Sequence, residues 1–267
     1  MFKALAIDLD GTLLNSEDTL SPRNLEAVGK ALEAGIDIII ATARWYQQAE
    51  RVARPLGLTR SVVACSGAEV RRLSDGADLM DVRLPEEFAA ELFEIVDSHR
   101  SIAWIPLDDE VLMKAEGSFD IGLREIRLVS QLTGANASPP RMALIQGAAV
   151  SQAVLERLSG RWVDDVHFMT SITGYGKTLL TLTARQADKG VALGVACKDH
   201  GIELSDVLAI GDSGNDVEMF RVAGASVAMG QASDEIKAAA TYVTAPNDQD
   251  GVAQAIERLL AGELGPA

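Results

Sequence analysis

Few residues in this chain are chemically unusual, and the shortages narrow what it does. Among 267 residues there are two cysteines and three histidines. Cys65 and Cys197 lie far apart, form no ligand cluster and read as reduced core thiols in a cytosolic protein. His99, His167 and His200 are scattered without metal-ligand spacing. They read as surface residues or as parts of the middle segment described below. Positive charge is also short: Lys+Arg number 24 against 39 Asp+Glu, a formal net charge of −15. That argues against a nucleic-acid or anionic-membrane surface, which needs a basic patch. It leaves an anionic substrate open, because a bound metal makes a local site cationic. No apolar run reaches the roughly 18 residues of a membrane span. The longest, "IDIIIATA", is strand-sized. Asp8 and Asp10 interrupt any signal-peptide apolar region near the N-terminus. The expectation is a cytoplasmic protein with no membrane partner.

What is present is apolar and alternating. Hydrophobic residues make up 48% of the chain, enough for a sizeable core at this length. Residues 2–9 read as a buried strand. "SPRNLEAVGKALEAG" follows as a helix, with Ser21 as N-cap, Pro22 in the first turn and Gly35 as the stop. "IDIIIAT" is a second near-continuous apolar run, as in a parallel strand covered on both faces. A helix over about 44–55 and a strand at "SVVAC" come next. "AEVRRLSDGADLMDVRL" reads as a hairpin turning at Asp75-Gly76.

From Pro85 to about Ala184 the pattern changes to an α+β unit. Helices are predicted over "PEEFAAELFEIVDSHR", near 120–132 and near 148–159. Strands are predicted at "SIAWI", "EVLMKA", "RMALIQG", "VHFMTS" and "TLLTLTA". Trp104, Trp162, Phe168 and Tyr175 fall here as candidates for its core, with one or two able to face a substrate. The first pattern then resumes, with helices near 189–200, 215–222, 232–239 and 250–261 and strands at "DVLAIGD" and "ASVAMG". The expected fold class is α/β: a parallel sheet flanked by helices, split by an inserted α+β unit. The boundaries are 1–83 and 186–267 for the core and 84–185 for the insertion.

"ALAIDLDGTLL" places Asp8 and Asp10 one residue apart at the end of strand 1. Residues i and i+2 of a strand point the same way, and ligands of open α/β sheets bind at the carboxyl ends of strands. Turn chemistry explains such acids equally well when the pair stands alone. "VLAIGDSGND" repeats the logic: an apolar run, then Asp212, then Asn215 and Asp216. Four carboxylates at one sheet edge repel one another unless a cation sits among them. Oxygen ligands with no His or Cys suit Mg²⁺. Thr42 at the end of "IDIIIAT" and Lys189 at the start of a helix complete the set, with helix capping and solvent exposure as their plainer readings. Arg44 is open to two readings, an anion contact or a surface ion pair.

The motifs "DLDGTLL", "ATAR", "DKG" and "GDSGND", in that order, resemble those of haloacid dehalogenase superfamily phosphatases of the Cof-type subgroup with a C2B cap. The resemblance spans essentially the whole chain. It implies a Rossmann-like core with a cap that closes over the site and chooses the leaving group. It also implies a Mg²⁺-dependent phosphatase of small metabolites, such as sugar phosphates, nucleotides or cofactor phosphates, acting through an aspartyl-phosphate. Asp8 is then the nucleophile, and Asp10 protonates the leaving alcohol and deprotonates the water. Thr42 and Lys189 hold the transferring phosphoryl group. Asp8, the Asp10 carbonyl and Asp212 bind Mg²⁺, with Asp216 in support. Gly11, Ala43, Arg44 and Asn215 join the phosphate-binding set.

Three departures from the family pattern stand out: Ala43 where Gly is common, Ser66 where Asn precedes Gly67, and Asp188 beside Lys189. An acid at 188 is placed to pair with that lysine and weaken its hold on phosphate. The rival readings are a sugar phosphomutase on the same acids and a non-catalytic phosphate-binding regulatory module. The expected partner is a small phosphorylated metabolite, with the protein a monomer or small homo-oligomer.

Overall fold

The computed structural model describes residues 2–115, 122–135, 138–173 and 175–266. The chain divides into two compact units, Met1–Met80 with Asp188–Ala267, and Asp81–Ala187. Each is built as follows.

The first unit opens with β1 (Ala4–Ile7), α1 (Pro22–Glu33), β2 (Asp37–Ile40) and α2 (Tyr46–Ala53). Ser21 caps α1, accepting from the Asn24 amide at 3.1 Å, as its small polar side chain at that place predicts. Then come β3 (Ser61–Ala64), β4 (Glu69–Arg72) and β5 (Asp78–Asp81), which form a separate three-stranded sheet. The Arg72 amide donates to Ala77 O at 2.9 Å across the Asp75-Gly76 turn. β3 touches the main sheet through one parallel bridge, Ala41 to Val63.

The inserted unit contains α3 (Glu86–Asp97), β6 (Ile102–Pro106), β7 (Val111–Lys114), β8 (Ile126–Val129), β9 (Met142–Gln146), α4 (Ala148–Val154), α5 (Gly160–Trp162), β10 (Val166–Ile172) and β11 (Thr178–Ala184). The strands form one six-stranded sheet in the order β10-β11-β9-β6-β7-β8. A π-helical turn at Leu155–Ser159 joins α4 to α5. Helix α3 buries Phe88, Leu92 and Val96 against Ala103, Ile105, Ile145, Leu180 and Leu182 of the sheet. Phe88 meets Trp162 and Phe168 edge-on, at ring separations of 5.7 and 5.8 Å.

The helix predicted near 120–132 is not there. Residues 126–129 are β8, paired in parallel with β7, and 120–121 lie outside the described residues. The stretch "IGLREIRLVSQL" has helical apolar spacing, but the open edge of β7 recruits Ile126, Leu128 and Val129, and such pairing overrides a local period.

The chain returns to the first unit through α6 (Lys189–His200), β12 (Val207–Gly211), α7 (Val217–Val222), β13 (Ala225–Ala228), α8 (Asp234–Ala239), β14 (Tyr242–Val243) and α9 (Gly251–Leu260). The main sheet runs β14-β13-β12-β1-β2, parallel throughout. Alternation along β1 splits its side chains between two layers. Leu5 and Ile7 pack with Val28 of α1 and Ile256 of α9. Ala4 and Ala6 pack with Leu193 of α6 and Met219 of α7. β1 is therefore central, buried on both faces, and has β2 and β12 as parallel neighbours. Its carboxyl end opens between theirs.

Candidate active site

The Asp8 amide donates to Ile210 O at 3.0 Å, so the chain keeps register with β12 for one step beyond β1. That step carries Asp8 into the interior, where it is 4% exposed. Asp10, two residues on, has a side chain 55% exposed. The i, i+2 spacing brings both acids to the same edge and then separates them by burial.

β12 delivers the second acidic group. Beyond Gly211 the chain makes a tight turn, in which Asp216 Oδ2 accepts from the Asp212 and Ser213 amides at 3.0 and 2.9 Å and from Ser213 Oγ at 3.0 Å. Asp216 is thus the reciprocal half of a capping box with Ser213. Its other oxygen accepts from Lys189 Nζ at 2.7 Å, and the same ammonium donates to Asp8 Oδ1 at 2.7 Å. Lys189 is 1% exposed. A cation at a helix N-terminus opposes the helix dipole, so its place at the start of α6 is held by these two carboxylates.

One oxygen each from Asp8, Asp212 and Asp216 lie within 4.8 Å of one another. Burial pushes the Asp8 carboxyl well above the usual range; Lys189 opposes that shift and Asp216 adds to it. Burial first, then Asp216, raise Asp212 to about 6, while the Thr12 hydroxyl, donating at 2.9 Å, works the other way. Burial also works against the Lys189 ammonium, but Asp216 and Asp8 outweigh it and hold its pKa above the ordinary value. Three carboxylates therefore face one ammonium, a deficit of two charges. The donors are all oxygen, and Asp216 adds to the upward push that burial gives Asp8 and Asp212. The residues present fit a hard divalent cation such as Mg²⁺.

Two glycines make this approach possible. A Cβ on Gly11, at φ +77°, stands 2.6 Å from Asp212 Oδ2. A Cβ on Gly67, at φ +93°, stands 2.5 Å from the Asp188 carbonyl carbon and 2.7 Å from the Lys189 amide nitrogen. Gly67 follows Cys65 and Ser66, themselves at φ 50° and 56°. This unusual run of left-handed residues turns the chain beneath the start of α6, and the Ser66 amide donates to Thr42 O at 3.0 Å. Ser66 Oγ is buried without a hydrogen-bond partner among the described residues.

The remaining candidates sort by contact. Asp8, Lys189, Asp212 and Asp216 come together. Thr42 is fully buried at the end of β2, and its Oγ1 accepts from the Arg44 amide at 3.1 Å. Ala43 lies between them, half-buried. Asn215 Oδ1 accepts from Ser213 Oγ at 2.6 Å. Arg44 turns its guanidinium onto Asp10, with Nε donating to Oδ2 at 2.9 Å and Nη2 to Oδ1 at 2.5 Å. Asp188 caps α6, accepting from the Gly190 and Val191 amides at 2.6 and 2.9 Å. Its oxygen is turned to those amides, while Lys189 turns to Asp8 and Asp216.

Sequence reasoning missed two residues. Thr12 stands inside the first motif, and its hydroxyl partner identifies itself only across 200 positions. Asp18 is a second anion on Arg44. Its signal is faint, one of two adjacent acids in the polar stretch "NSEDTL". His200 is also misplaced by the sequence reading: it is buried in the first unit, with Nε2 beside Ser61 Oγ at 3.0 Å.

Comparison with known proteins gives concordant results. The model of the haloacid dehalogenase-like hydrolases matches residues 5–256. The chain is 31% identical to the 5-amino-6-(5-phospho-D-ribitylamino)uracil phosphatase YwtE of Bacillus subtilis (strain 168), covering 98% of this chain and 99% of that one. It is 27% identical to the pyridoxal phosphate phosphatase YbhA of Escherichia coli (strain K12), covering 95% and 97%. Among solved structures, a haloacid dehalogenase-like hydrolase from Bacteroides thetaiotaomicron superposes with a TM-score of 0.80 at 28% identity, covering 97% of this chain and 100% of that one. Among the described residues no helix is long and apolar enough to cross a membrane.

Proposed function

This chain belongs to the haloacid dehalogenase-like hydrolase family, and on that premise we propose that it hydrolyses phosphomonoesters of small metabolites with Asp8 as nucleophile and Mg²⁺ as cofactor. It is a phosphatase. The observation that carries the site assignment is the cluster of buried Asp8 and Asp216 with half-buried Asp212, in which the Lys189 ammonium donates to Asp8 and Asp216.

Phosphoryl transfer needs positioning and charge neutralisation more than elaborate covalent chemistry. Asp8 attacks phosphorus as the bond from phosphorus to the leaving oxygen breaks, giving an aspartyl-phosphate. Asp10 donates a proton to the leaving oxygen, then takes one from the water that cleaves the acyl phosphate. Lys189 steadies Asp8 and neutralises the phosphoryl oxygens alongside Thr42. Asp8, the Asp10 carbonyl and Asp212 would hold the metal, and Asp216, already accepting four hydrogen bonds, would orient that turn behind them. When bound, Mg²⁺ supplies charge neutralisation at the transferring phosphoryl group. Gly11, Ala43, Arg44 and Asn215 border this site in the sequence reading. Gly11 supplies a close backbone approach, and Arg44 contacts Asp10 instead of lying open to an anion.

The substrate class follows the relatives: alcohol phosphates of biosynthetic intermediates or vitamin cofactors, as in the ribitylaminouracil and pyridoxal phosphate enzymes. The phosphomutase and regulatory readings have no observation in their favour. The test is phosphate release from a panel of sugar, nucleotide and cofactor phosphates with Mg²⁺. We expect turnover that EDTA and Asp8→Asn each abolish. Activity that survives either change sinks the mechanism.

A further inference from the structure

We propose that Arg44 is a positioning residue for Asp10, held in place by Asp18, and not a ligand for substrate anion. The inference rests on the phosphatase reading above and goes beyond it by assigning two side chains that the reaction itself does not require.

Arg44 is pinned along its backbone. Its amide donates to Thr42 Oγ1 at 3.1 Å, and its carbonyl accepts from the Cys65 amide at 2.8 Å. The guanidinium, only 17% exposed, lays its fork on both oxygens of Asp10: Nε to Oδ2 at 2.9 Å and to Oδ1 at 3.2 Å, Nη2 to Oδ1 at 2.5 Å. A planar fork of this kind fixes direction as well as distance, which a lysine does not.

The same Nη2 also contacts Asp18. Asp18 sits at φ 61° in a turn that is itself stapled. Asn15 Oδ1 accepts from the Glu17 and Thr19 amides at 3.1 and 2.9 Å, and Ser16 donates to Asp248 from its amide and hydroxyl at 2.8 and 2.7 Å. A left-handed conformation at a non-glycine residue costs energy and persists only where surrounding bonds impose it. The turn thus presents the Asp18 carboxylate to the same Nη2 that meets Asp10.

Asp10 needs this help. With its side chain more than half exposed, it would otherwise sample several rotamers, and a general acid must meet the leaving oxygen within hydrogen-bond reach. Asp18 also leaves the guanidinium a counter-charge whichever way the Asp10 proton goes, so Arg44 has no reason to depart during turnover.

The assignment has a kinetic signature. Breaking the bond from phosphorus to a poor alkoxide leaving group requires the Asp10 proton to arrive on that oxygen. Breaking the bond to 2,4-dinitrophenolate does not, because that anion leaves unprotonated. The experiment compares wild type, Arg44→Gln and Asp18→Ala, each full length with Mg²⁺. The substrates are the alkyl phosphate that the panel shows is turned over best and, in single-turnover mode, 2,4-dinitrophenyl phosphate. We expect Arg44→Gln to lower kcat on the alkyl phosphate about 10- to 100-fold. KM and the rate of dinitrophenolate release should stay within about threefold. Asp18→Ala, a change at an exposed side chain, should act in the same direction by a smaller factor.

A KM rise on the alkyl phosphate with kcat intact, with half-saturation of the dinitrophenolate burst shifted to higher concentration, would make Arg44 an anion ligand and overturn the proposal. Equal losses on both substrates would make it a structural residue, and no change in either variant would make it idle; each overturns the proposal. A wild type that releases phosphate from neither substrate overturns the phosphatase reading instead.

Discussion

Lys189 and Asp216 meet at 2.7 Å with both side chains fully buried, and the same ammonium reaches Asp8 at the same distance. A buried ion pair broken by removing one partner leaves an uncompensated charge. Lys189→Met should therefore strand two buried carboxylates and destabilise the metal-free protein by about 3–5 kcal/mol. Urea unfolding in EDTA measures this. A loss below about 1 kcal/mol would mean that the carboxylates neutralise themselves without Lys189.

A divalent cation placed among Asp8 and Asp212 must bind the folded chain and not the unfolded one. Saturating Mg²⁺ at about one hundred times its dissociation constant should then add about 2.7 kcal/mol to stability. Asp212→Asn should abolish most of that gain while leaving the metal-free protein no less stable, because burial already disfavours the Asp212 charge. The readout is the midpoint of thermal unfolding with and without Mg²⁺, and an undiminished shift in the variant would remove Asp212 from the ligand set.

Gly67 carries the approach of β3 to the start of α6. Gly67→Ala puts a methyl group 2.5 Å from the Asp188 carbonyl at a φ that L residues avoid. Strain and overpacking together should cost about 2–4 kcal/mol. Because the atoms displaced belong to Asp188 and Lys189, phosphate release should fall more than stability alone explains. Full activity in the folded variant would show that the Lys189 position tolerates movement.

These relationships were unequally legible in the sequence. The Asp8–Asp10 spacing and the echo in "GDSGND" could be read because an apolar run ending in acids is a local signal at a strand terminus. The parallel core was legible for the same reason, since "ALAI", "IDIII" and "VLAIG" are continuous or near-continuous apolar runs. Which carboxylates Lys189 joins was not legible: Asp8 lies 181 positions away across the inserted unit. Nor was the division of labour at Arg44, because Asp18 sits in an ordinary polar turn and only its left-handed backbone aims it. The helix predicted near 120–132 failed where a neighbouring strand edge decided the outcome.

His200 yields a prediction at the opposite end of the strands. Its Nε2 faces the Ser61 amide and hydroxyl at 3.2 and 3.0 Å, and its Nδ1 lies 3.4 Å from Asp37. Arg60 donates to its carbonyl at 2.8 Å. Burial is the main cause that lowers its pKa, with Arg60 adding to it and Asp37 pulling the other way. The folded pKa thus lies below the unfolded value of about 6.5. In the interval between them the unfolded chain binds more protons, so stability rises with pH. The contribution is complete above about pH 6.5 and is lost as the pH falls through the folded pKa. His200→Gln keeps an amide near Ser61 but cannot titrate. The difference in unfolding free energy between wild type and this variant, measured in EDTA, should shrink as the pH is lowered from neutrality towards 5. Asp8 and Asp212, whose raised values act in the opposite direction, are present in both proteins and cancel in the difference. A wild-type advantage that holds constant across that range would show that His200 takes up its proton in the folded protein as readily as in the unfolded one.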